Sequence, residues 1–276
     1  MPEGHTLLRL ARELSEAFGG RPVRVSSPQG RFAADAALVD GSLCLGAESA
    51  GKHLFVELAG ERFIHVHLGL IGKFHVATGP APAPVGQVRL RLQNDTAYAD
   101  LRGATQCELV GPDRREQIVS RLGEDPLRPD ADPLRAWARV SRSPRPIGDL
   151  LMDQSVVAGV GNVYRAEILF RHRVHPLRPG SSLRRSQFLA MWTDLVELME
   201  YGALTGRIDT VRPEHTPEAM GRPPRKDDHG GEVYVYRRHG QDCLVCGRRV
   251  RTDTLAGRNL FWCARCQPVF RSRAVG

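Results

Sequence analysis

Four cysteines lie near the end of the chain in two pairs, Cys243-x2-Cys246 and Cys263-x2-Cys266, with sixteen residues between the pairs. Each pair brackets a tight turn that can bring two thiolates onto one ion. Four soft sulfur donors at this spacing describe a closed, structural zinc site of the zinc-ribbon kind, with two disulfides or four ordinary core cysteines as the alternative. The stretch between the pairs reads as two short strands around Ala256-Gly257, and Arg248, Arg249, Arg251 and Arg258 make it a basic hairpin suited to phosphate. At the other end, removal of Met1 leaves Pro2 with a free secondary amine beside Glu3. An α-amino group titrates near about 8, well below a lysine, so part of it is neutral and nucleophilic at cellular pH. An amine with an adjacent carboxylate suits nucleophilic attack with proton transfer, leading to a Schiff base. Taken alone, the dipeptide is an ordinary helix start.

Two further patterns stand between these ends. Gly51-Lys52-His53 places a lysine on a turn before a strand, where a lone lysine is normally just solvated. It gains meaning only if that turn faces the N-terminus. Gly159-Val-Gly161-Asn162 allows a turn whose backbone can approach another molecule closely. Asn162 then suits the N-cap of the next helix and can donate to phosphate; a plain helix corner fits the same residues. No Lys-Ser/Thr follows, so this is not a nucleotide P-loop.

Residues 5–18 carry Leu7, Leu10, Ala11, Leu14, Ala17 and Phe18 at helical spacing, stopped by Gly19-Gly20. From 21 to about 111 the pattern alternates in short runs, at 23–25, 43–45, 53–58, 63–68 and 87–92, which predicts a β-sandwich or barrel. Residues 79–86, rich in proline, form a loop. Beyond Gly111-Pro112 the chain turns helical, with helices over 113–122, 133–140, on either side of 158–162, and over 183–203. Residues 205–231, rich in Pro, Gly and charge, read as a mobile loop before the cysteine hairpin. The class is α+β.

The chain of 276 residues has 39 Lys+Arg against 31 Asp+Glu, a net charge of +8 that favours a polyanionic partner. Only Lys52, Lys73 and Lys226 are lysines; the rest of the positive charge is arginine, the better fork for phosphate. No apolar run is long enough for a membrane span, and the N-terminus lacks the form of a signal peptide. Six cysteines, four assigned to metal, fit a reducing cytoplasm, with Cys44 and Cys107 as buried small hydrophobes.

Taken in order, Pro2-Glu3-Gly4, Lys52 on its turn, helix–Gly-Val-Gly-Asn–helix and the four-cysteine hairpin resemble the formamidopyrimidine-DNA glycosylase/endonuclease VIII family of base-excision repair enzymes. The likeness spans essentially the whole chain, including 121–127 and 257–267, and is greatest to the actinobacterial endonuclease VIII-like branch. It implies a catalytic β-sandwich domain with a leading helix over 1–115, a helical domain over 116–230 with a helix–two-turn–helix motif at about 148–171, and a zinc finger over 231–270. It implies a monomer acting on damaged single- or double-stranded DNA, with one structural zinc on Cys243, Cys246, Cys263 and Cys266. By the same resemblance, Pro2 attacks C1′ of the damaged nucleotide and Glu3 assists proton transfer and ring opening. Lys52 contacts phosphate and aids protonation, Asn162 and Arg258 grip phosphates, and Arg258 is tied to the second elimination. Arg121 matches a DNA contact. Leu70 fits the wedge that fills a vacated base stack, though core packing suits a leucine there equally.

Two departures bear on substrate. The guanine-lesion branch carries Asp-Pro-Arg-Arg-Phe-Gly where this chain has Asp100-Leu-Arg-Gly-Ala-Thr, and the Gln-Leu-Tyr wedge of endonuclease VIII is replaced by Gly69-Leu70-Ile71. Oxidised pyrimidines are therefore expected over 8-oxoguanine, with relatively good activity on single strands. The alternatives are an 8-oxoguanine or formamidopyrimidine preference, or a non-catalytic zinc-finger DNA-binding relative.

Overall fold

The computed structural model describes residues 2–226 and 231–270, in two compact units, 1–122 and 123–276; Met1 and residues 227–230 of the expected 205–231 loop fall outside the described part. In the first unit, α1 (Gly4–Phe18) buries Leu7, Leu10, Ala11, Leu14 and Phe18 along one stripe and ends where the Gly19 N–H bonds Ser15 O. The strands are β1 (Arg21–Pro22), β2 (Arg24–Ser26), β3 (Leu43–Ala50), β4 (His53–Leu58), β5 (Arg62–His67), β6 (Lys73–Thr78), β7 (Val88–Gln93), β8 (Ala97–Arg102) and β9 (Gln106–Val110), with α2 (Ala33–Val39) after β2 and α3 (Pro112–Val119) after β9.

They form two antiparallel sheets, β1-β3-β4-β5-β9 and β2-β7-β8-β6. Period-two alternation explains the sandwich: Leu54, Val56 and Leu58 of β4 and Ile64 and Val66 of β5 join Leu90, Leu92, Ala99 and Leu101 of the other sheet in one core. The helix α1 packs on β3, β4, β6 and β8. Ser15 Oγ donates to Ala47 O and accepts from Ala47 N–H, fixing it to β3. The opposite face of the five-stranded sheet carries His53, Phe55, His65 and Phe63, and part of it packs against Ile118 of α3. Cys44 and Cys107 are buried as expected, and burial pushes the Cys107 thiol up to about 12. The strands β6, β8 and β9 lie outside the runs expected from sequence.

The second unit contains α4 (Pro133–Val140), α5 (Ile147–Leu150), α6 (Asn162–Arg171), α7 (Arg185–Thr205), α8 (Pro217–Met220) and the hairpin β10 (Arg251–Leu255) and β11 (Arg258–Trp262). The helix before 158–162 is the single turn α5, so the expected pair of helices is a short one followed by turns and a ten-residue one. Residues 205–226 are not wholly irregular: a 3-10 turn at Pro213–His215 and α8 lie within them. A core of α6 and α7 residues extends through Val233, Tyr234, Val235 and Tyr236 to Phe261 and Cys263, so the hairpin is part of the same packed body as the helices. No described helix is long and apolar enough to cross a membrane.

Candidate functional site

Pro2 stands half-buried immediately before α1, and Glu3 is its N-cap residue, 0% exposed. The Glu3 backbone carbonyl accepts from Thr6 N–H at 2.9 Å, so the dipeptide is locked to the first helical turn. The positive end of the helix dipole favours a carboxylate there and disfavours a cation on the neighbouring amine. Lys52 occupies the β3–β4 turn, one residue before β4. Leu70 lies in the β5–β6 loop, 57% exposed, with Ile71 beside it at 79%. Core packing is thereby excluded for Leu70: both side chains project into solvent. Gly69, at φ +69°, turns the loop where an added Cβ would stand 2.5 Å from Thr105 Cγ2. Thr105 in turn bonds His67 through backbone and side chain. Arg121 is exposed at the end of this unit.

Asp100, where the guanine-lesion motif would begin, has a structural role. Arg91 pairs with it in bidentate fashion at 2.7 and 2.8 Å, Arg102 adds a third bond, and the acid is 2% exposed. Burial opposes its ionisation, but the Arg91 and Arg102 guanidiniums outweigh it and hold the carboxyl below its ordinary range.

In the second unit the expectation for Asn162 needs one correction. Gly161 is the N-cap of α6 and Asn162 is its first helical residue. Its amide is turned to the hairpin instead, donating through Nδ2 to Asn259 O at 3.0 Å. Arg165, 1% exposed, bonds Asn162 Oδ1 and reaches Asn259 O at 2.7 Å and Gly148 O at 3.4 Å. One buried guanidinium thus fastens α6 to the hairpin residue beside Arg258. Arg258 itself is exposed, the first residue of β11 after the turn at Ala256 (φ +48°) and Gly257 (φ +72°). Of Gly159 and Gly161, only Gly159 (φ +82°) needs glycine's freedom; Gly161 is extended.

Sequence reasoning also passed over Glu167. This carboxylate is 0% exposed and accepts from the backbone N–H groups of Tyr234, Val235 and Tyr236 at 2.6–2.9 Å and from Thr210 Oγ1 at 2.6 Å. It ties α6 to the bend-and-turn segment leading into the cysteine hairpin. A glutamate in a helix reads as surface, and nothing local marks these partners.

The sulfur atoms of Cys243, Cys246, Cys263 and Cys266 all lie within 4.8 Å of one another. A tetrahedral zinc with Zn–S of about 2.3 Å requires S···S of about 3.8 Å. Cys243 and Cys266 are 3.8 Å apart, and Cys246 and Cys263 3.4 Å, so the donor set fits one structural zinc. Gln267 supports it, its Oε1 accepting from Cys263 N–H and its Nε2 donating to Val174 O. A cavity of about 660 Å³ beside the cysteines, at the C-terminal end of α6, is lined by Arg173, Arg212, Arg265, Glu214, Cys246 and Cys266 among others.

Comparison with known proteins matches three descriptions along the chain: "Formamidopyrimidine-DNA glycosylase N-terminal domain" over 1–107, "Formamidopyrimidine-DNA glycosylase H2TH domain" over 122–212, and "Zinc finger found in FPG and IleRS" over 240–269. The chain is 51% identical to Endonuclease 8 1 of Mycobacterium tuberculosis over 97% of its own length and 100% of that protein's. It is 33% identical to a formamidopyrimidine-DNA glycosylase of Synechococcus over 79% of each. Its fold matches that of Lactococcus lactis Fpg in complex with DNA containing an abasic site, at a TM-score of 0.79 and 22% identity, over 97% of this chain and 100% of that one.

Proposed function

The chain belongs to the formamidopyrimidine-DNA glycosylase/endonuclease 8 family, and from that premise we propose that it is a bifunctional DNA glycosylase and abasic-site lyase of base-excision repair, acting on oxidised bases with pyrimidines preferred. The observation that carries the reading is Pro2 immediately before α1, followed by a fully buried Glu3. The neutral Pro2 amine attacks C1′, the bond to the damaged base breaks, and the departing base takes up a proton. Glu3 moves the proton that opens the deoxyribose ring, giving an iminium between Pro2 and C1′. That iminium acidifies the adjacent C2′–H; loss of this proton expels the 3′ phosphate (β-elimination), and a further proton loss expels the 5′ phosphate (δ-elimination). Lys52 contacts phosphate and supplies a proton, and Arg258 assists the second elimination.

A base inside a duplex must first leave the stack, at a cost of a few kcal/mol. Asn162 and Arg258 grip the phosphates of the opened strand, Arg121 adds a further contact, and Leu70 fills part of the space left behind. Ile71, still more exposed, extends that apolar tip. The tip is small and lacks the aromatic residue of fuller wedges, which supports comparatively good activity on single-stranded DNA. We read the protein as a cytoplasmic monomer divided into catalytic (1–115), helical (116–230) and zinc-finger (231–270) parts, the zinc serving only to fold the finger.

Borohydride trapping on an oligonucleotide with one abasic site tests the chemistry: a covalent adduct is expected with the processed protein and none with Pro2→Gly. No adduct from protein lacking Met1 would leave the non-catalytic DNA-binding reading. A panel of dihydrouracil, 5-hydroxyuracil, thymine glycol and 8-oxoguanine, each in single and double strands, tests the substrate preference. Faster excision of 8-oxoguanine, or much faster excision from duplexes, would overturn those two points respectively.

A further inference from the structure

The outer face of the five-stranded sheet carries a polar chain that the roles above leave unused. His53 opens β4 opposite His67 of β5, while His65 of β5 lies opposite Glu108 of β9. Glu108 Oε1 is 2.9 Å from His65 Nδ1, and His65 Nε2 is 2.9 Å from His53 Nδ1. An ionised carboxylate only accepts, so His65 Nδ1 carries the hydrogen. The Nε2 of a neutral His65 is then bare and accepts from His53 Nδ1–H. This leaves His53 Nε2 as a lone-pair acceptor, on the residue next to Lys52.

Packing fixes the ring planes. Phe55 stacks on His65 at 4.9 Å, and His53 lies 5.1 Å from both His65 and His67. His65 is 1% exposed. Burial first, then the neighbouring imidazoles and the Lys52 charge, push His53 down to about 3, so no proton occupies its acceptor at neutral pH. Such a chain is more than sheet packing requires, since apolar residues at these positions would pack without two interlocking tautomers.

We infer that Glu108, His65 and His53 form a positioning relay for Lys52, presenting an unprotonated imidazole acceptor at the turn that carries the ammonium. The relay rests on the proposed part of Lys52 in phosphate contact and proton supply. His53 is a positioning residue here: it acts on DNA through Lys52.

The test is single-turnover cleavage of a duplex with one abasic site, which does not depend on base preference. The variants are His53→Phe, His65→Phe and His53→Gln, each alone and with Lys52→Ala. Either phenylalanine variant should lower the saturating rate about tenfold, on the order of one hydrogen bond's worth, and move the half-saturating enzyme concentration far less. His53→Gln, which keeps an acceptor oxygen, should recover most of the rate. In the Lys52→Ala background the second change should cost nothing more. An equal loss in that background, or no recovery with glutamine, would make the histidines merely structural and overturn the relay. A slow Lys52→Ala with His53→Phe at the wild-type rate sinks the relay alone, whereas Lys52→Ala at the wild-type rate sinks the role of Lys52 and the relay with it. Thermal unfolding is followed for each variant, and Glu108→Ala, which cuts the chain at its half-exposed end, replaces any that does not fold.

Discussion

Arg165→Met should loosen the grip on DNA without replacing any residue proposed to contact it. The guanidinium is buried and makes two short bonds, to Asn162 Oδ1 and Asn259 O, and a long one to Gly148 O. Methionine fills most of the volume but donates nothing. Asn259 O keeps the Asn162 Nδ2 donor at 3.0 Å, so the acceptor left in greatest deficit is Asn162 Oδ1. An orphaned buried acceptor costs about 1–3 kcal/mol, and the substitution should therefore destabilise by about 2 kcal/mol. At about 2–4 °C per kcal/mol for a unit of this size, the melting temperature falls by about 4–8 °C. If all of that energy had held Asn162 and the Arg258 end of β11 in register, affinity falls by up to about 30-fold. Fluorescence anisotropy on a DNA carrying a stable abasic analogue measures it, with zinc content followed in parallel. Zinc should be unchanged, because Gln267 and the cysteines hold the base of the hairpin independently. A lower melting temperature with affinity within about threefold of wild type would refute the reasoning, since Arg165 would then serve stability alone.

Three other outcomes are expected. Glu167→Ala strands three backbone N–H groups and leaves the Thr210 hydroxyl its longer bond to Glu232 O at 3.3 Å, and should cost about 3–5 kcal/mol, or about 10 °C in melting temperature; a drop under about 3 °C would show that water replaces the carboxylate. Arg258→Ala should weaken DNA binding at unchanged zinc content and reduce the slope of log K against log salt by about 0.9, the signature of one lost phosphate contact. Loss of zinc in that variant would mark Arg258 as a fold residue. Stability should also fall on acidification in two stages. His53 is held neutral down to about 3 against an ordinary 6.5, so the unfolded chain binds the extra proton and stability declines as pH drops from about 6.5 toward 3. Asp194, in which burial is outweighed by His172 and Arg171, sits at about 2, and its contribution, present above 3.8, is lost as pH falls through that range. Melting temperatures that are flat between pH 7 and 5 would remove the first stage.

What the sequence made legible follows the range of the interactions. The cysteine spacing, the stripe on α1 and the alternating runs in β4, β5 and β7 are local patterns, and each reappears as an element or a site. Local pattern alone makes Asn162 an N-cap, whereas its amide is claimed by Asn259 of the hairpin, about a hundred residues on. Glu167 and Arg165 look like the solvated charges of an ordinary helix until the chain returns nearly 70 and 100 residues later to meet them. The three overlooked strands were missed for the same reason. Register with β5, β7 and β8 stabilises them, and their own alternation, as in Lys73-Phe74-His75-Val76 and Gln106-Cys107-Glu108-Leu109, runs over only a few residues.

Three of the residues proposed to act on DNA share a kind of position in the chain. Lys52, Leu70 and Arg258 are drawn from turns or loop edges, where backbone order is hardest to keep. Two of them are followed by a residue whose contacts are internal: Lys52 by His53 in its imidazole chain, and Arg258 by Asn259 under Arg165. Where an exposed side chain such as Arg258 is proposed to meet DNA, the neighbouring residue supplies the fastening, and the fastening is buried where water does not compete. On this view, disrupting the internal neighbour misplaces the exposed group while leaving its chemistry intact. Substituting Arg165 or His53 should then reduce function by displacement, with little further loss once the exposed partner is removed. Substituting the exposed residue itself should instead leave melting temperature within a degree or two of wild type. The two classes of variant separate on a plot of affinity against stability, and a single common line through both would contradict this division of labour.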